Sequence, residues 1–392
     1  RAMLLQAASQ RSGMPADQLH ATLGTVRSSD GKTLFTYAEL VTAASQLDVP
    51  EDAPLKSAAA FKLIGKHDRR LDITPKVDGS ARFGADAPME ETLVAVVVRP
   101  PVGRGPMTSY DDRKAAELPG VHSIIAIDAG VAVVASNYWR ARKAAEAITL
   151  EWAPGESSLT DSAAIDAALT AALDGDSFAS VRDEGEPPAT AARQVLEAEY
   201  SVPFLAHATM EPMNATVDPK SREVWVGTQA PDLSASFAAL GLDLDADEVT
   251  VHNQFLGGGF GRRAMPDHVL EAAQVAAALG QRVKLVWSRE DDTRHDFYRP
   301  PMKSRLKAQL GDNNEVISWQ HRLAGPSLMQ ATVDAMAPAV VPSWVPGFLV
   351  NFGADMAGRK DSSSVEGAEE LPYAFSHIDV AYRNVETPIP LG

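Results

Sequence analysis

Apolar residues recur along the chain in two patterns, the spacing of amphipathic helices and the alternation or short apolar runs of strands. The helical spacing predicts helices over 1–12, 37–47, 138–147, 232–240 and 266–280. Strand patterns occupy 92–99, 123–127, 131–135, 148–152, 249–255 and 283–288, and turn residues predict hairpins at 218–220 and 311–313. Weaker patterns predict a helix over 17–23, a short helix over 111–118 and a surface loop with short helices over 328–354.

Residues at the ends of these segments predict where the helices begin and end. Thr36 and Asn137 are the predicted N-caps of the helices that follow them, because their side-chain oxygens can accept from a first-turn N–H. Gly241 and Gly280 are the predicted stops of the 232–240 and 266–280 helices.

The order of these elements predicts an α+β protein. Residues 1–64 are interpreted as the tail of a preceding N-terminal domain with its linker, because Arg1 falls inside an apolar helical pattern. Residues 65–155 mix short strands and helices in a small domain, 156–190 form a connecting segment, and 191–392 form a larger unit.

A glycine-rich stretch from Phe255 to Arg263 lies between a predicted strand and a predicted helix. Glycine permits positive φ and lets another group approach the backbone without a Cβ in the way. The stretch therefore predicts a loop folded tightly around a ligand. Its glycines are Gly257, Gly258, Gly259 and Gly261.

The other side chains of this loop suggest what the ligand would be. Phe260 could cover an apolar or planar face, and Arg262 and Arg263 stand at a helix entrance, where guanidinium groups and backbone amides both favour an anion such as phosphate. The alternative is a close-packed turn followed by two solvated arginines.

Residues 259–264 also fit the dinucleotide fingerprint Gly-x-Gly-x-x-Ala. A nicotinamide- or flavin-binding Rossmann domain is therefore a second interpretation. Against it, the acidic residue expected about 20 residues on has its counterpart, Glu290, about 30 residues away.

Composition narrows the range of functions. The chain has 36 Lys and Arg against 52 Asp and Glu, a net charge of −16, which argues against nonspecific binding to nucleic acid or anionic membranes. It has no cysteine, so it supplies no thiolate ligand for an iron–sulfur cluster or structural zinc. The nine histidines lack metal-ligand spacing, and no apolar run approaches the roughly 20 residues of a membrane span. We expect no protein-ligated metal and no membrane span.

Two further segments extend the signal beyond the glycine loop. Thr228-Gln229-Ala230-Pro231 and Met210-Glu211-Pro212-Met213-Asn214-Ala215-Thr216, together with 251–263, resemble the large subunit of the molybdenum hydroxylases, the xanthine oxidase family. The chain looks closest to the isoquinoline 1-oxidoreductase and aldehyde dehydrogenase branch. Residues 70–83 resemble the entry into the family's small α/β hammerhead domain, and 288–291 resemble the segment after its second strand.

The resemblance implies a hammerhead domain over 65–155 and part of a molybdopterin-binding domain over 191–392. It implies that the loop lies against the molybdenum centre and pterin, and that Gln229 donates its amide to an oxo group on molybdenum. Arg262 and Arg263 would suit the phosphates of the cytosine dinucleotide form of the pterin. The implied loop contacts are Gly257, Gly258, Gly259, Phe260 and Gly261.

The implied activity is oxidation of an aldehyde or N-heteroaromatic substrate with water-derived oxygen. Electrons would pass to iron–sulfur clusters on a small [2Fe–2S] partner subunit, and a cytochrome c subunit is a further candidate partner. The branch implies a periplasmic location, with the cytoplasm as the alternative.

One departure concerns the catalytic base. The family uses a glutamate in a Gly-Val-Gly-Glu setting to take a proton from the metal-bound hydroxide, and no such tetrapeptide occurs here. We therefore expect an internal segment of a larger subunit with no catalytic residue of its own, which needs the remaining segments of that subunit. The alternative is a noncatalytic scaffold or binding fragment that needs partner chains to form a site.

Several residues also have plainer interpretations from the sequence. Gln229 could be a surface amide, Glu211 and Asn214 turn and capping residues, and His207 a packed histidine. The acidic cluster Glu290-Asp291-Asp292 is typical of a solvated strand end.

Overall fold

The computed structural model describes residues 1–53, 55–67, 69–87, 90–101, 104–155, 161–189, 191–342, 344–359 and 361–392. Internal contacts divide the chain into two compact units, Arg1–Gly79 and Ser80–Gly392. The first unit thus extends beyond the predicted linker, and the division of the remainder at 155 and 190 stays a prediction. Residues 156–160 and 190 of the predicted connecting segment lie outside the described residues.

The first unit packs helices against a small antiparallel sheet of order β1-β2-β3. Thr36 caps α2 as predicted, since its hydroxyl accepts from Glu39 N–H at 3.3 Å. The predicted helix over 17–23 is wrong, because Leu19 is buried in β1, which pairs with β2. The elements are α1 (Ala2–Ser12), β1 (Leu19–Thr22), β2 (Thr25–Ser28), β3 (Thr33–Thr36), α2 (Tyr37–Ala44) and α3 (Ile73–Asp78), with 3₁₀ turns at Ala16–Gln18 and Ala58–Ala60.

The second unit contains three sheets and nine α-helices among its described residues. Its strands are β4 (Leu93–Val98), β5 (Met107–Asp111), β6 (Val121–Ile127), β7 (Gly130–Ala135), β8 (Thr149–Trp152), β9 (Ala179–Glu184), β10 (Gln194–Val202), β11 (Asn214–Asp218), β12 (Glu223–Val226), β13 (Thr250–Asn253), β14 (Val283–Val286), β15 (Met302–Leu310), β16 (Val316–Gly325) and β17 (Ile378–Asn384). Its helices are α4 (Arg113–Ala116), α5 (Tyr138–Ala145), α6 (Ser162–Leu173), α7 (Pro231–Leu242), α8 (Asp267–Leu279), α9 (Arg289–Arg294), α10 (Leu328–Val340), α11 (Gly347–Arg359) and α12 (Ser362–Val365). The 3₁₀ turns lie at Gly84–Asp86, Ala246–Glu248 and Arg262–Ala264.

A seven-stranded mixed sheet of order β13-β12-β11-β14-β4-β7-β6 forms the centre of this unit. It joins strands from the predicted hammerhead region to strands from the predicted cofactor-binding region, since Leu93 of β4 pairs in parallel with Val283 of β14. Strand β4 is buried on both faces: Val97 packs in the cluster with α7 and α8, and Val96 in the cluster with α5. An apolar run without alternation is the pattern expected of such a strand.

Helices α7 and α8 pack closely against each other, and Gly241 belongs to that contact. The predicted stop at Gly241 is wrong, because α7 continues to Leu242 and ends where Asp243 takes a left-handed φ of 57°. A Cβ at Gly241 would lie 2.6 Å from the Cβ of Ala273 on α8. The glycine therefore permits close helix packing, whereas Gly280 does end α8 as predicted.

A second, five-stranded sheet has the order β10-β15-β16-β17-β9. Its edge strand β10 is exposed along its whole length, including Tyr200 at 60%. The predicted loop over 328–354 is instead largely the helices α10 and α11, apart from Ser343, which lies outside the described residues. On α11 the side chains of Phe348, Phe352 and Met356 are exposed.

Candidate cofactor-binding site

The glycine loop and Gln229 come together because they leave neighbouring strands at the same edge. Strands β12 and β13 are parallel, with Val226 opposite Asn253, so the segments that follow them emerge side by side. Thr228 and Gln229 follow β12, and the loop follows β13. The two segments are separated by about 30 residues in the sequence, and the parallel pairing makes them one site.

The loop backbone requires small residues. Gly258 and Gly261 have φ of 101° and 105°, and Phe260 between them has φ 56°. A Cβ at Gly257 would collide with the side chain of Glu211, and a Cβ at Gly259 would lie 2.5 Å from Gln229 Oε1. The result is a strip of backbone without side chains beside Phe260, whose own side chain is 74% exposed.

Gln229 is oriented by the loop itself. Its main-chain N–H donates to Arg263 O at 3.0 Å, and its Oε1 accepts from Gly261 N–H at 3.1 Å. With Oε1 engaged, the Nε2 amide is the end of the side chain that makes no hydrogen bond to the residues the structure describes. Gln229 therefore presents a donor beside the glycine loop.

Arg263 supports the loop from beneath rather than facing solvent. Its guanidinium is fully buried and donates to the carbonyl oxygens of Gly258 at 2.8 Å, Gly227 at 3.1 Å and Glu211 at 2.7 Å. It also donates to the Glu211 carboxylate at 3.1 Å. This arrangement fixes the distance between the loop and the end of β12.

Arg262 is buried in the same way on the other side of the turn. It donates to both carboxylate oxygens of Asp267, at 2.8 and 2.9 Å, and its Nε lies 2.9 Å from Asp296 Oδ1. Burial alone would raise the pKa of Asp267, but the Arg262 charge and hydrogen bonds hold it well below its ordinary value. Both arginines are bonded within this chain, which corrects the expectation of two phosphate ligands and the alternative of two solvated arginines.

Glu211 has a role that sequence reasoning missed, since the sequence indicated only a turn or capping residue. Its carboxylate accepts four hydrogen bonds, all between 2.9 and 3.1 Å, and so joins its own segment to residue 85 and to both ends of the glycine loop. A carboxylate that is largely removed from water needs such partners. In the sequence, the only sign of this role is an acidic residue between apolar neighbours, Met210 and Pro212. The donors are Ala85 N, Asn214 Nδ2, Gly257 N and Arg263 Nη2.

The acidic cluster after β14 also differs from its interpretation as a solvated strand end. Ser288 and Asp291 form a capping box that begins helix α9. Asp292 is 1% exposed and pairs with Arg289, whose guanidinium also donates to Met210 O at 2.9 Å. Asp292 thus holds the 209–210 segment through Arg289, whereas the Glu290 side chain, 60% exposed, does face water.

His207 lies next to the loop and pairs with a buried aspartate. Its side chain is 2% exposed, and its Nδ1 lies 3.1 and 3.2 Å from the two carboxylate oxygens of Asp296. Its main-chain N–H donates to Asp296 Oδ2 at 2.6 Å. The packed histidine expected from the sequence is therefore also oriented by a carboxylate.

The sheet order argues against the dinucleotide interpretation. In a Rossmann fold the fingerprint strand is central in a parallel sheet. Here β13 is an edge strand, and its neighbour β12 pairs antiparallel with β11. The loop also runs into a 3₁₀ turn before α8 begins. A nicotinamide- or flavin-binding site is therefore not supported.

The side chains near the loop indicate which kind of ligand could bind there. No group of three or more His, Cys, Asp or Glu side chains that could hold a metal is found among the described residues. In the same part of the chain, no helix is long and apolar enough to cross a membrane. What the loop offers is close-approach backbone, an amide donor and an exposed aromatic ring. Such a site suits a planar organic cofactor that brings its own metal ligands.

Comparison with known proteins agrees with this chemistry. Residues 176–339 match the family model described as the molybdopterin cofactor-binding domain. The chain is 30% identical to the beta subunit of isoquinoline 1-oxidoreductase from Brevundimonas diminuta, over 83% of this chain and 48% of the relative. It is 31% identical to a nicotinate dehydrogenase subunit from Pseudomonas putida, over 99% of this chain and 32% of that relative.

The fold also has a solved counterpart. The aldehyde oxidoreductase of Desulfovibrio gigas superposes with a TM-score of 0.61 at 18% identity, over 82% of this chain and 38% of that one. The chain thus spans between about a third and a half of the lengths of these three proteins.

Proposed function

The chain carries a molybdopterin cofactor-binding domain of the molybdenum hydroxylase family, and on this premise we propose that the glycine loop and Gln229 hold the pterin and its molybdenum. The observation that carries the proposal is the adjacency of the Gln229 amide and the backbone of Gly257–Gly261, produced by the parallel pair β12 and β13. When bound, the cofactor supplies the metal centre at which oxygen derived from water is transferred and electrons are accepted.

The chain's own residues bind and orient this group. Gln229 Nε2 would donate to an oxygen ligand, because its other amide atom is held by Gly261 N–H. The glycines let a flat ring system approach the backbone, and Phe260 would shield one face from water. Arg263 and Glu211 keep these parts at a constant separation.

The cytosine dinucleotide form of the pterin stays in the proposal through the family resemblance alone. Arg262 and Arg263 no longer support it, because their guanidinium groups are committed to buried partners. Phosphate ligands for that form would have to come from other residues.

The substrate would be an aldehyde or an N-heteroaromatic ring, the classes that appear in the names of the relatives. The proton acceptor for the reaction would come from polypeptide outside these residues, since no Gly-Val-Gly-Glu segment is present. Electrons would leave through a small [2Fe–2S] subunit and a cytochrome c subunit, because a chain without cysteine has no thiolate for a cluster.

Exposed apolar surface supports assembly with further polypeptide. Phe348 and Phe352 on α11 are 70% and 63% exposed, and the edge strand β10 exposes Tyr200 and Val202. Phe348 and Phe352 are four residues apart on the helix, and Tyr200 and Val202 are two apart on the strand, so each pair lies on one face. Exposed apolar pairs of this kind favour protein–protein contacts. We propose a periplasmic location for the assembly, with the cytoplasm as the alternative that cell fractionation distinguishes.

The alternative is a noncatalytic scaffold or binding fragment that needs partner chains to form a site. Elemental analysis by plasma mass spectrometry, with intact mass and a turnover assay, on the complex purified from its own source separates the two. About one molybdenum per complex with turnover supports the hydroxylase, bound cofactor without turnover supports the scaffold, and no molybdenum contradicts the proposed cofactor site.

Two substitutions then test the site itself. Gln229→Ala and Phe260→Ala should each lower turnover while leaving the melting temperature within a few degrees, because both side chains are exposed. Full turnover in both variants would show that the cofactor lies elsewhere.

A further inference from the structure

His207 lies beside the glycine loop, where the proposed function gives it no role. Its Nδ1 faces the carboxylate of Asp296, which is 1% exposed and is also 2.9 Å from Arg262 Nε. Arg262 thus already supplies a cation to this carboxylate. The imidazole is held at one edge by a buried ion pair.

The hydrogen-bond partners determine which nitrogen carries the hydrogen. A carboxylate accepts only, so His207 Nδ1 must donate to Asp296. In the neutral ring the other nitrogen, Nε2, then carries a lone pair and accepts. A carboxylate that holds one ring nitrogen commonly orients the other toward a ligand.

Nε2 points toward the loop. A Cβ at Gly261 would lie 3.5 Å from it, and Nε2 makes no hydrogen bond within the described part of the chain. The acceptor therefore lies beside the backbone strip on which the cofactor is proposed to rest.

Backbone conformation gives an independent sign of a ligand site here. Ala208, the residue after His207, has φ 46°, and Phe260 has φ 56°. Residues other than glycine seldom adopt this region, and such residues cluster at ligand sites, where the surrounding structure holds them. Ala208 adjoins His207 in the chain, and Phe260 adjoins Gly261, the glycine that Nε2 approaches.

We propose that His207, oriented by Asp296, is a further pterin-binding residue whose Nε2 accepts a hydrogen bond from a ring or amino N–H of the pterin. The inference rests on the proposed function. A pterin carries several N–H donors, which need acceptors. Gln229 Nε2 and the loop N–H groups are donors only, so His207 Nε2 would supply an acceptor that these groups lack.

The test uses the assembled enzyme and two substitutions. In His207→Asn the shorter amide can still donate to Asp296, but nothing reaches the position of Nε2. In His207→Gln the longer amide reaches that position. His252→Asn is the matched control, because His252 Nε2 is already paired with Glu223 at 2.9 Å and so is not free to accept from the pterin.

Pterin is measured as its fluorescent oxidation product, and molybdenum by plasma mass spectrometry, after prolonged gel filtration. We expect His207→Asn to retain roughly fivefold less of both, the ratio that one neutral hydrogen bond contributes. His207→Gln should recover most of that loss, and the control should retain the wild-type content. Equal retention in wild type and His207→Asn would overturn the proposal.

A measurement on the unsubstituted ring covers the case in which His207→Asn does not fold. With histidine rings labelled with ¹⁵N, the Nε2 resonance of His207 should move between cofactor-free and cofactor-loaded enzyme, and an unmoved resonance would overturn the proposal. Wild-type enzyme without pterin or molybdenum would overturn the proposed function as well, whereas loaded wild type with an indifferent His207 overturns this inference alone.

Discussion

Glu211 Oε2 lies 3.1 Å from Arg263 Nη2, with the two side chains 11% and 0% exposed. Through this pair the segment before β11 is joined to the end of the glycine loop. All four hydrogen-bond partners of the Glu211 carboxylate are donors. A side chain that must accept four times cannot be replaced by one that also donates.

The first prediction concerns Glu211→Gln. The new amide would turn its NH₂ toward at least one N–H donor and would leave the Arg263 charge buried without its partner. We expect a loss of about 3–5 kcal/mol in the free energy of unfolding, typical of a broken buried ion pair, and a lower pterin content in the enzyme that still folds. Denaturant unfolding and pterin fluorescence measure the two effects.

The control for this prediction is Glu248→Gln. Glu248 pairs with Arg222 at the surface, with side chains 38% and 47% exposed, so its loss should cost less than about 1 kcal/mol. Equal losses in the free energy of unfolding would mean that the Glu211–Arg263 pair contributes no more than an exposed ion pair.

The second prediction concerns the contact between the loop and Gln229. In Gly259→Ala the new Cβ would lie 2.5 Å from Gln229 Oε1 and would displace that side chain. We expect destabilisation of about 1–3 kcal/mol and loss of bound molybdenum. In a Gln229→Ala background the atoms in the way are absent, so the stability cost of Gly259→Ala should largely disappear. Simple additivity of the two stability changes would contradict the geometry.

The third prediction compares two helical glycines. Gly241→Ala brings a Cβ to 2.6 Å from the Cβ of Ala273 and 3.1 Å from the Leu270 carbonyl oxygen, so overpacking should cost about 1–3 kcal/mol. Gly353→Ala on α11 meets nothing within 4 Å. It should stabilise by about 0.5–1 kcal/mol through helix propensity. The melting temperature should therefore fall in Gly241→Ala and rise in Gly353→Ala. A rise in both variants would contradict the observed packing of α7 on α8.

The fourth prediction concerns pH and His321 on β16. Burial, with the Arg322 charge adding to it, lowers the pKa of His321 from 6.5 to about 4. As pH falls below about 6.5 the unfolded chain takes up this proton first, so the free energy of unfolding falls between about pH 6.5 and 4, by up to about 3 kcal/mol. His321→Gln should remove this component.

Unfolding free energies of wild type and His321→Gln between pH 4 and 7.5 measure the difference. The wild-type curve should fall more steeply below about pH 6.5, and the two curves should run parallel above pH 7. Parallel curves throughout would mean that the ring is already solvated in the folded protein.

Local features of the site and fold were predictable from the sequence. The glycine loop, the flanking strand β13 and helix α8, the caps at Thr36 and Asn137 and the two hairpins depend on residues close together in the chain. Backbone preferences and side-chain caps act over a few residues, so they can be predicted from neighbouring residues in the sequence.

Features that depend on distant partners were not predictable. The burial of Arg263 is set by carbonyl oxygens of residues 211, 227 and 258, which come together only through the sheet. Helix α10 contains Pro338, and α11 begins at Gly347 and contains Gly353, residues that normally mark loops. In both cases tertiary contacts outweigh local preference.

The parallel pairing of β4 with β14 has a consequence for how the chain is made. Leu93 pairs with Val283, which is synthesised much later, so this edge of β4 cannot be covered until then. Pairing across such a sequence separation gives a high contact order, and the sheet should therefore form slowly. One edge of β4 can pair with β7 once residues 131–135 are made, but the other edge of its Leu-Val-Ala-Val-Val-Val run stays open until β14 is made. An open edge on a strongly β-prone segment favours aggregation. Folding of the second unit in the cell should therefore depend on a chaperone that covers this edge during synthesis.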